Sequence, residues 1–268
     1  GRVMYFTSVG ELWLCGLDGN DAIIVAGGPM QPTGVAALAH GAKMVAYQMG
    51  PAQDKKVVAL GKIVGVDTIA NKLGVDADPG GAMAFSPAGD RLAYYGINGQ
   101  VFATGAELSP PTVVFKGAAS LGSTPAQSSI DWSPGGEKLL ITVPHGKAGS
   151  DIALISSNGG GLVRLTDDAE VDSQAVFAAN GQSVWFQKVL EPGKIAHVYQ
   201  VGVDGQGAKK VTYAENTVHR LPRPSWDGKQ VLFIASTGGE SGALTLLHLV
   251  TDQLTPLDQP VLNAFWLK

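Results

Sequence analysis

An acidic segment is the first place in this chain where the residue types could support chemistry. Four carboxylates fall within six positions, at Asp167, Asp168, Glu170 and Asp172. Carboxylate oxygens are the ligands that calcium prefers in proteins, and they also attract cationic groups. The segment lacks the Asp-x-Asp-x-Asp-Gly spacing of a calcium loop, so an acidic turn exposed to solvent is the commoner explanation. We predict no bound cofactor, with calcium or another divalent cation as the alternative.

The histidines offer candidate ligands, but not at the spacing of a local metal site. No pair forms His-x-x-x-His or His-Glu-x-x-His, which would place two imidazoles on one metal. His145 and His219 lie in segments predicted to join strands, and Arg220 follows directly. Connections of this kind often carry binding residues. The candidate binding residues are therefore Asp78, His145, Asp167, Asp168, Glu170, Asp172, His219 and Arg220.

The sequence shows no catalytic motif. A hydrolase nucleophile elbow needs Gly-x-Ser-x-Gly at a turn between a strand and a helix. The nearest match surrounds Ser241, in a glycine-rich segment that we interpret as a loop between two strands. Cys15 is the only cysteine, which excludes an intrachain disulfide and a thiolate-rich zinc site. We predict no catalytic residue and expect that the chain is not an enzyme.

Composition and charge narrow the fold class and the partners. The charged fraction is 16% and the formal net charge is −4, so no basic surface for nucleic acid is expected. The sequence contains no run of about 18 apolar residues that would predict a transmembrane helix. The 36 glycines and 15 prolines are typical of many short strands joined by tight turns. These features favour an all-β fold.

One phrase recurs five times along the chain: a turn with glycine, two mostly polar residues and an apolar strand. Its copies lie at 40–47, 86–94, 133–141, 179–186 and 225–233. The glycines at positions 41, 89, 136, 181 and 228 are separated by 48, 47, 45 and 47 residues. Each copy is followed by two further short strands. Four strands in a period of roughly 40 to 50 residues are typical of a β-propeller blade.

The repeat predicts one all-β domain over residues 1–268, a six-bladed β-propeller. The predicted blades are 1–27 with 260–268, then 33–68, 80–116, 126–166, 172–213 and 219–258. We expect the C-terminal strand to complete the first blade and close the ring, which would remove exposed strand edges. Three tryptophans near the blade turns, Trp132, Trp226 and Trp266, are predicted to pack between blades.

The phrase itself resembles a known repeat. Ser86-Pro87 and Ser133-Pro134, each followed by glycine, an acidic residue, a basic residue and leucine, resemble the propeller repeat of TolB and of the prolyl oligopeptidases. The resemblance covers essentially the whole chain, although the copies at 40–47 and 178–187 lack Ser-Pro. It implies a bacterial propeller outside the cytoplasm, in the periplasm or extracellular space. The fold is specified strongly by this motif and the function weakly.

We therefore predict a non-enzymatic module that binds a protein or peptide through one face of a monomeric propeller. A metal-dependent lyase or hydrolase, or a carbohydrate-binding propeller, using the central channel is the alternative. The chain begins abruptly in an apolar strand-like segment at 3–6, so we also expect a processed product or the sensor part of a larger protein.

Overall fold

The computed structural model describes most of the chain. The described residues are 2–7, 9–16, 19–26, 32–39, 44–50, 56–64, 67–77, 81–96, 99–105, 110–117, 128–146, 148–237 and 242–261. They contain 23 strands and no α-helix. No helix in these ranges is long and apolar enough to span a membrane. The all-β prediction is confirmed.

The strands form consecutive antiparallel repeats, of which the first three lie in the N-terminal half. Repeat one contains β1 (Arg2–Phe6), β2 (Leu12–Gly16) and β3 (Ile23–Ala26). Repeat two contains β4 (Pro32–Leu38), β5 (Met44–Met49), β6 (Lys56–Val64) and β7 (Asp67–Ala77). Repeat three contains β8 (Met83–Phe85), β9 (Arg91–Tyr95), β10 (Val101–Gly105) and β11 (Thr112–Phe115).

Three further repeats follow, and parallel bridges join them into one twelve-stranded sheet. Repeat four contains β12 (Ile130–Trp132), β13 (Lys138–His145), β14 (Gly149–Ser156) and β15 (Val163–Arg164). Repeat five contains β16 (Val171–Phe177), β17 (Ser183–Glu191), β18 (Ile195–Gly202) and β19 (Lys209–Lys210). Repeat six contains β20 (Val218–Pro224), β21 (Gln230–Ser236), β22 (Gly242–His248) and β23 (Gln253–Val261). The bridges pair Ser150 with Val171 and Ala196 with Val218.

The chain divides into two compact units, described separately below. The first contains Gly1–Pro125 and Ser156–Gly160, and the second contains Ala126–Ile155 and Gly161–Lys268. Residues 262–268 lie outside the described part of the chain. The ring closure and the count of six blades therefore stay predictions.

A hydrogen-bonded turn explains the repeated phrase. The backbone N–H of Ser133 donates to the carbonyl of Lys138 at 2.9 Å, and the N–H of Gly136 donates to Ser133 at 2.8 Å. Gly136 has φ +81°, which a glycine adopts without strain. Equivalent turns begin at residues 39, 86, 178 and 225. The spacing of the turns is thus 47, 47, 45 and 47 residues, and the glycine at position 41 lies outside the described residues.

Apolar side chains pack between consecutive repeats. In the second unit, Leu140 and Ile152 of repeat four share a buried cluster with Phe177, Val184 and Phe186 of repeat five. The first unit has two comparable clusters, built from strands of repeats one and two and of repeats two and three. Burial of this kind contributes roughly 25 cal/mol per Å² of apolar surface. It holds the strands of neighbouring repeats against one another.

The tryptophan predictions have mixed outcomes. Trp132 is 3% exposed, which confirms that it is buried, and its packing between blades stays a prediction. Trp226 is 55% exposed, so the prediction that it packs between blades is wrong. The reason is its register in the turn: Trp226 follows Ser225, whereas Trp132 precedes Ser133. Pro224 occupies the position equivalent to Trp132 in repeat six. Trp266 lies outside the described residues.

Replacing Trp132 with Ala should lower the free energy of unfolding by about 3–5 kcal/mol, because it removes a buried aromatic side chain and leaves a cavity. Trp226→Ala is the matched control and should change it by less than about 1 kcal/mol, since most of that side chain is exposed. Urea denaturation followed by circular dichroism measures both. Equal losses would contradict the burial difference.

Candidate functional site

A group of charged side chains surrounds the junction between repeats four and five in the second unit. We call it the junction cluster. Its members are His145, Asp151, Arg164, Asp167, Asp168, Asp172 and Lys188. The parallel bridge between Ser150 and Val171 brings the second residue of β14 beside the first residue of β16. This bridge places two carboxylates, from the next residue of each strand, at the centre of the cluster.

Asp151 is the buried acceptor that organises the connecting segment. It is 0% exposed, and its Oδ2 lies 2.8 Å from His145 Nδ1 and accepts a hydrogen bond from Arg164 Nη1. Its Oδ1 accepts from the backbone N–H of Asp168 at 3.3 Å and from Thr166 Oγ1 at 3.4 Å. One carboxylate therefore holds both the end of β13 and the segment that follows β15. Hydrogen bonds to an ionised group are stronger than neutral ones.

Lys188 supplies the positive charge next to the second buried carboxylate. Its Nζ pairs with Asp168 Oδ2 and lies 3.2 Å from Asp172 Oδ1. Burial raises the pKa of Asp172 to about 6, against the opposing effects of Thr166 and Lys188. Burial lowers the pKa of Lys188, but the neighbouring carboxylates of Asp168 and Asp172 raise it by more, so that the net shift is upward. Lys188 is therefore charged and acts as an internal counter-ion.

The next repeat uses the same backbone frame for two histidines. The N–H of Ile152 donates to Thr166 Oγ1 at 2.9 Å, and the N–H of Val198 donates to Thr212 Oγ1 at 3.0 Å. In this frame His197 takes the position of Asp151, and the bridge between Ala196 and Val218 gives His219 the position of Asp172. We call His197 and His219 the histidine pair. Their Nδ1 atoms are 3.4 Å apart.

The histidine pair is buried and neutral at pH 7. His197 is 3% exposed and His219 is 4% exposed. Burial lowers the pKa of His219 to about 4, with smaller effects of His197 and Lys210 in the same direction. Burial, followed by Lys210, also lowers the pKa of His197. The ring of His219 meets Phe233 edge-on, with ring centroids 5.0 Å apart.

A buried row of ionisable groups links the two sites. Asp172 on β16 is the register partner of Lys188 on β17, and Lys188 is the register partner of His197 on β18. Register partners on antiparallel strands project to the same face of a sheet. The row therefore runs across repeat five from the junction cluster to the histidine pair.

Similarity to solved structures defines the fold. No family model and no curated protein sequence matches the chain. TolB from Acinetobacter baumannii is similar with a TM-score of 0.65 at 17% identity, over 97% of this chain and 64% of that protein. A structure from Agrobacterium tumefaciens assigned as a TolB has a TM-score of 0.65 at 15% identity, over 92% of this chain and 87% of that protein.

This chain has a TolB-like β-propeller fold. An oligogalacturonate lyase in complex with manganese is also similar, with a TM-score of 0.61 at 14% identity, over 97% of this chain and 73% of that protein. All these identities are low, so the similarity establishes the propeller fold and leaves the function open. The resemblance seen in the sequence is confirmed at the level of the fold.

The propeller brings together several of the residues singled out in the sequence. His145, Asp167, Asp168 and Asp172 all lie in the junction cluster. The side chain of Asp167 is 78% exposed and that of Asp168 is 42% exposed. Glu170 is exposed as well.

Three of the candidate binding residues are buried or half-buried. Asp172 and His219 are buried, and Arg220 is half-buried. We expected both Asp172 and His219 on an exposed binding face of the propeller, and neither side chain is exposed. Asp78 lies outside the described residues.

Three residues of the junction cluster were not predicted: Asp151, Arg164 and Lys188. Two of them are charges in mostly apolar strands: Asp151 directly precedes the apolar run 152–155, and Lys188 lies between the apolar residues 184–186 and 189–190. A charge at such a position indicates a buried partner or a functional role. That signal was present in the sequence, but it does not name the partner.

Replacing Lys188 with Met should lower the free energy of unfolding by about 3 kcal/mol at pH 7.5, because it leaves the buried carboxylate of Asp172 without its cation. The loss should shrink at pH 5, where Asp172 takes up a proton and needs no counter-ion. Lys194→Met, at an exposed position of the same hairpin, should have little effect. A pH-independent loss in Lys188→Met would refute the role of counter-ion.

The stability of the protein should depend on pH through His219. Because the folded-state pKa is near 4 and the unfolded value is about 6.5, only the unfolded state takes up a proton between these values. This histidine therefore contributes stability above pH 6.5 that is lost as the pH falls towards 4.

The difference in unfolding free energy between wild type and His219→Leu should thus move by about 2 kcal/mol against the wild type between pH 7 and pH 5. Taking the difference removes the contributions of Asp131 and Asp172, whose raised pKa values act in the opposite direction. Chemical denaturation at both pH values measures it. Parallel pH profiles for the two proteins would show that the pKa of His219 is not lowered in the folded state.

Proposed function

We propose that this propeller is a non-enzymatic binding module that recognises a protein or peptide through the acidic rim. The acidic rim consists of Asp167, Asp168 and Glu170, the exposed part of the segment between β15 and β16. The observation that carries the proposal is the way this rim is held. The backbone N–H of Asp168 donates to buried Asp151, and the side chain of Asp168 pairs with Lys188.

A rim held in this way is preorganised for binding. Its backbone is held by the buried carboxylate of Asp151, while the carboxylate of Asp167 projects into solvent with 78% of its side chain exposed. A segment that is already ordered loses less conformational entropy when a partner binds. Exposed carboxylates attract a basic partner and speed its association. The chemistry of the rim therefore favours a partner surface with lysine or arginine side chains.

The buried charges of the junction cluster support binding more than catalysis. Lys188 and Arg164 each bind a carboxylate within the cluster, and His145 is bonded to Asp151. These charged groups are therefore engaged in contacts that stabilise the cluster itself. Two of the similar solved structures are TolB proteins, which fits a binding propeller. We extend the proposal to a monomer located in the periplasm or extracellular space, alone or as the sensor part of a larger protein.

Affinity capture with charge-reversed rims tests the proposal. Wild type, Asp167→Lys and Glu170→Lys are immobilised and exposed to envelope and soluble extracts of the native cell. Glu137→Lys is the control, because Glu137 is exposed in the turn between β12 and β13, outside the rim. Captured proteins are identified by mass spectrometry, purified and titrated against each variant.

A partner of the rim should bind both rim variants at least about tenfold more weakly than wild type and Glu137→Lys, and its affinity should fall with added salt. Equal affinity for all four proteins would place the binding surface elsewhere. An extract that yields no specific partner would argue against a protein or peptide ligand.

A metal-dependent lyase or hydrolase, or a carbohydrate-binding propeller, is the second candidate, and one observation favours it. His145, Asp151 and Asp167 place one imidazole nitrogen and two carboxylate oxygens within 4.8 Å of one another. Imidazole and carboxylate ligands suit manganese, zinc and calcium. Arg164 competes for the same oxygen of Asp151, which disfavours a cation there.

The two candidates predict different results with manganese and acidic sugar oligomers. Under the second candidate, wild type binds Mn²⁺, His145→Ala does not, and the loaded protein depolymerises or binds oligogalacturonates. Calorimetry measures the binding, ultraviolet absorbance of unsaturated products measures cleavage by a lyase, and the release of new reducing ends measures hydrolysis. Absence of all three signals in wild type would eliminate this candidate and leave the binding module.

A further inference from the structure

The histidine pair lies at the junction between two consecutive repeats. His197 lies on β18 of repeat five and His219 on β20 of repeat six. These two strands share one parallel bridge, between Ala196 and Val218. The side chain of Gln187 adds a hydrogen bond from its Nε2 to the carbonyl of His219 at 3.0 Å. Any ligand held by both imidazoles would therefore cross-link the two repeats.

The distance between the two imidazole nitrogens indicates what lies between them. The Nδ1 atoms are 3.4 Å apart, which is long for a hydrogen bond, whose usual donor–acceptor distance is about 2.7–3.2 Å. Two nitrogens bound to one tetrahedral metal at about 2.0–2.1 Å are separated by about 3.3–3.4 Å. The observed separation thus matches the edge of a coordination tetrahedron and is long for a direct hydrogen bond.

The surroundings keep both rings in place and in the ligand form. Phe233 meets the His219 ring edge-on, and Lys188 lies opposite His197 in the strand register. A neutral imidazole has one nitrogen lone pair free to bind a metal. When both protons are on Nε2, the two Nδ1 lone pairs face each other and a shared cation stabilises them, whereas a proton on one Nδ1 gives a hydrogen bond between the rings.

The nearby charges include both carboxylates and lysines. Lys188 is neutralised by its carboxylate partners Asp168 and Asp172. Lys210, on β19, lies with its Nζ 5.4 Å from the centroid of the Tyr213 ring, a cation–π contact. Asp172 lies at one end of the row of register partners that also contains Lys188 and His197. Asp168 and Asp172 together outweigh Lys188 by one negative charge, which offsets part of the charge of a divalent ion, whereas Lys210 disfavours positive charge at both imidazoles.

We infer that His197 and His219 bind one divalent transition-metal ion through their Nδ1 atoms and that this ion cross-links repeats five and six. Two imidazoles suit Zn²⁺, Ni²⁺ or Cu²⁺ rather than Ca²⁺ or Mg²⁺. The remaining coordination positions are taken by water or by a donor atom of a bound molecule. The site is separate from the group formed by His145, Asp151 and Asp167, and it does not depend on the function proposed above.

Calorimetric titration with Zn²⁺ tests this inference. Chelator-treated wild-type protein at pH 7.5 should bind one equivalent, and its melting temperature should rise because the ion binds the folded state. His197→Gln and His219→Gln should each weaken binding by at least about tenfold. His248→Gln is the matched control and should bind like wild type, and His145→Gln distinguishes this site from the junction cluster.

A measurement on the wild type removes any dependence on how the variants fold. Long-range ¹H–¹⁵N spectra of the imidazoles should show the Nδ1 signals of two histidines, assigned by the variants that fold, moving when one equivalent of Zn²⁺ is added. Loss of binding in His145→Gln alone would overturn the inference and favour the junction cluster. Binding that survives in all four variants, or a wild type that binds no Zn²⁺, would also overturn it.

Discussion

Buried carboxylates that require compensating positive charge are the constraint on which the best-defined part of this propeller depends. Asp151 and Asp172 are both fully buried. An ionised carboxylate in such a position is unfavourable by several kcal/mol unless cations and hydrogen-bond donors surround it. Arg164 and Lys188 supply those charges from two other strands. Compensating these two charges therefore holds the strands and the connecting segment together. The same contacts order the exposed acidic rim.

The repeat provides one backbone frame that accepts different chemistry. Thr166 and Thr212 occupy equivalent positions and accept equivalent backbone hydrogen bonds in repeats four and five. Within this frame, the first junction carries two aspartates and the next carries two histidines. The hydrogen bonds that define the frame involve the backbone and a threonine, so the neighbouring side chains are free to differ. A propeller can thereby hold a charged rim and a histidine pair at neighbouring junctions without altering its fold.

The solved structures with this fold illustrate the same freedom. They include TolB proteins and an oligogalacturonate lyase in complex with manganese, at identities of 17% or less. Sheets of this kind are stabilised by packing between repeats, and the loops and strand ends carry the function. The proposals for this chain therefore depend on its own charged residues at the junctions between repeats, and not on the fold they share.

The all-β class, the turn spacing near 47 residues and the burial of Trp132 follow from sequence patterns, because these features depend on hydrogen bonds and side-chain alternation within a few neighbouring residues. Much of the acidic rim was also predicted from sequence. The folded chain was needed to show that Lys188 is the counter-ion of Asp172, that Trp226 is exposed, and that His197 faces His219. Those contacts join residues 16 and 22 positions apart, or depend on a shift of two residues in a turn. Such pairings follow from strand register and from the bridges between repeats, which local sequence patterns do not specify.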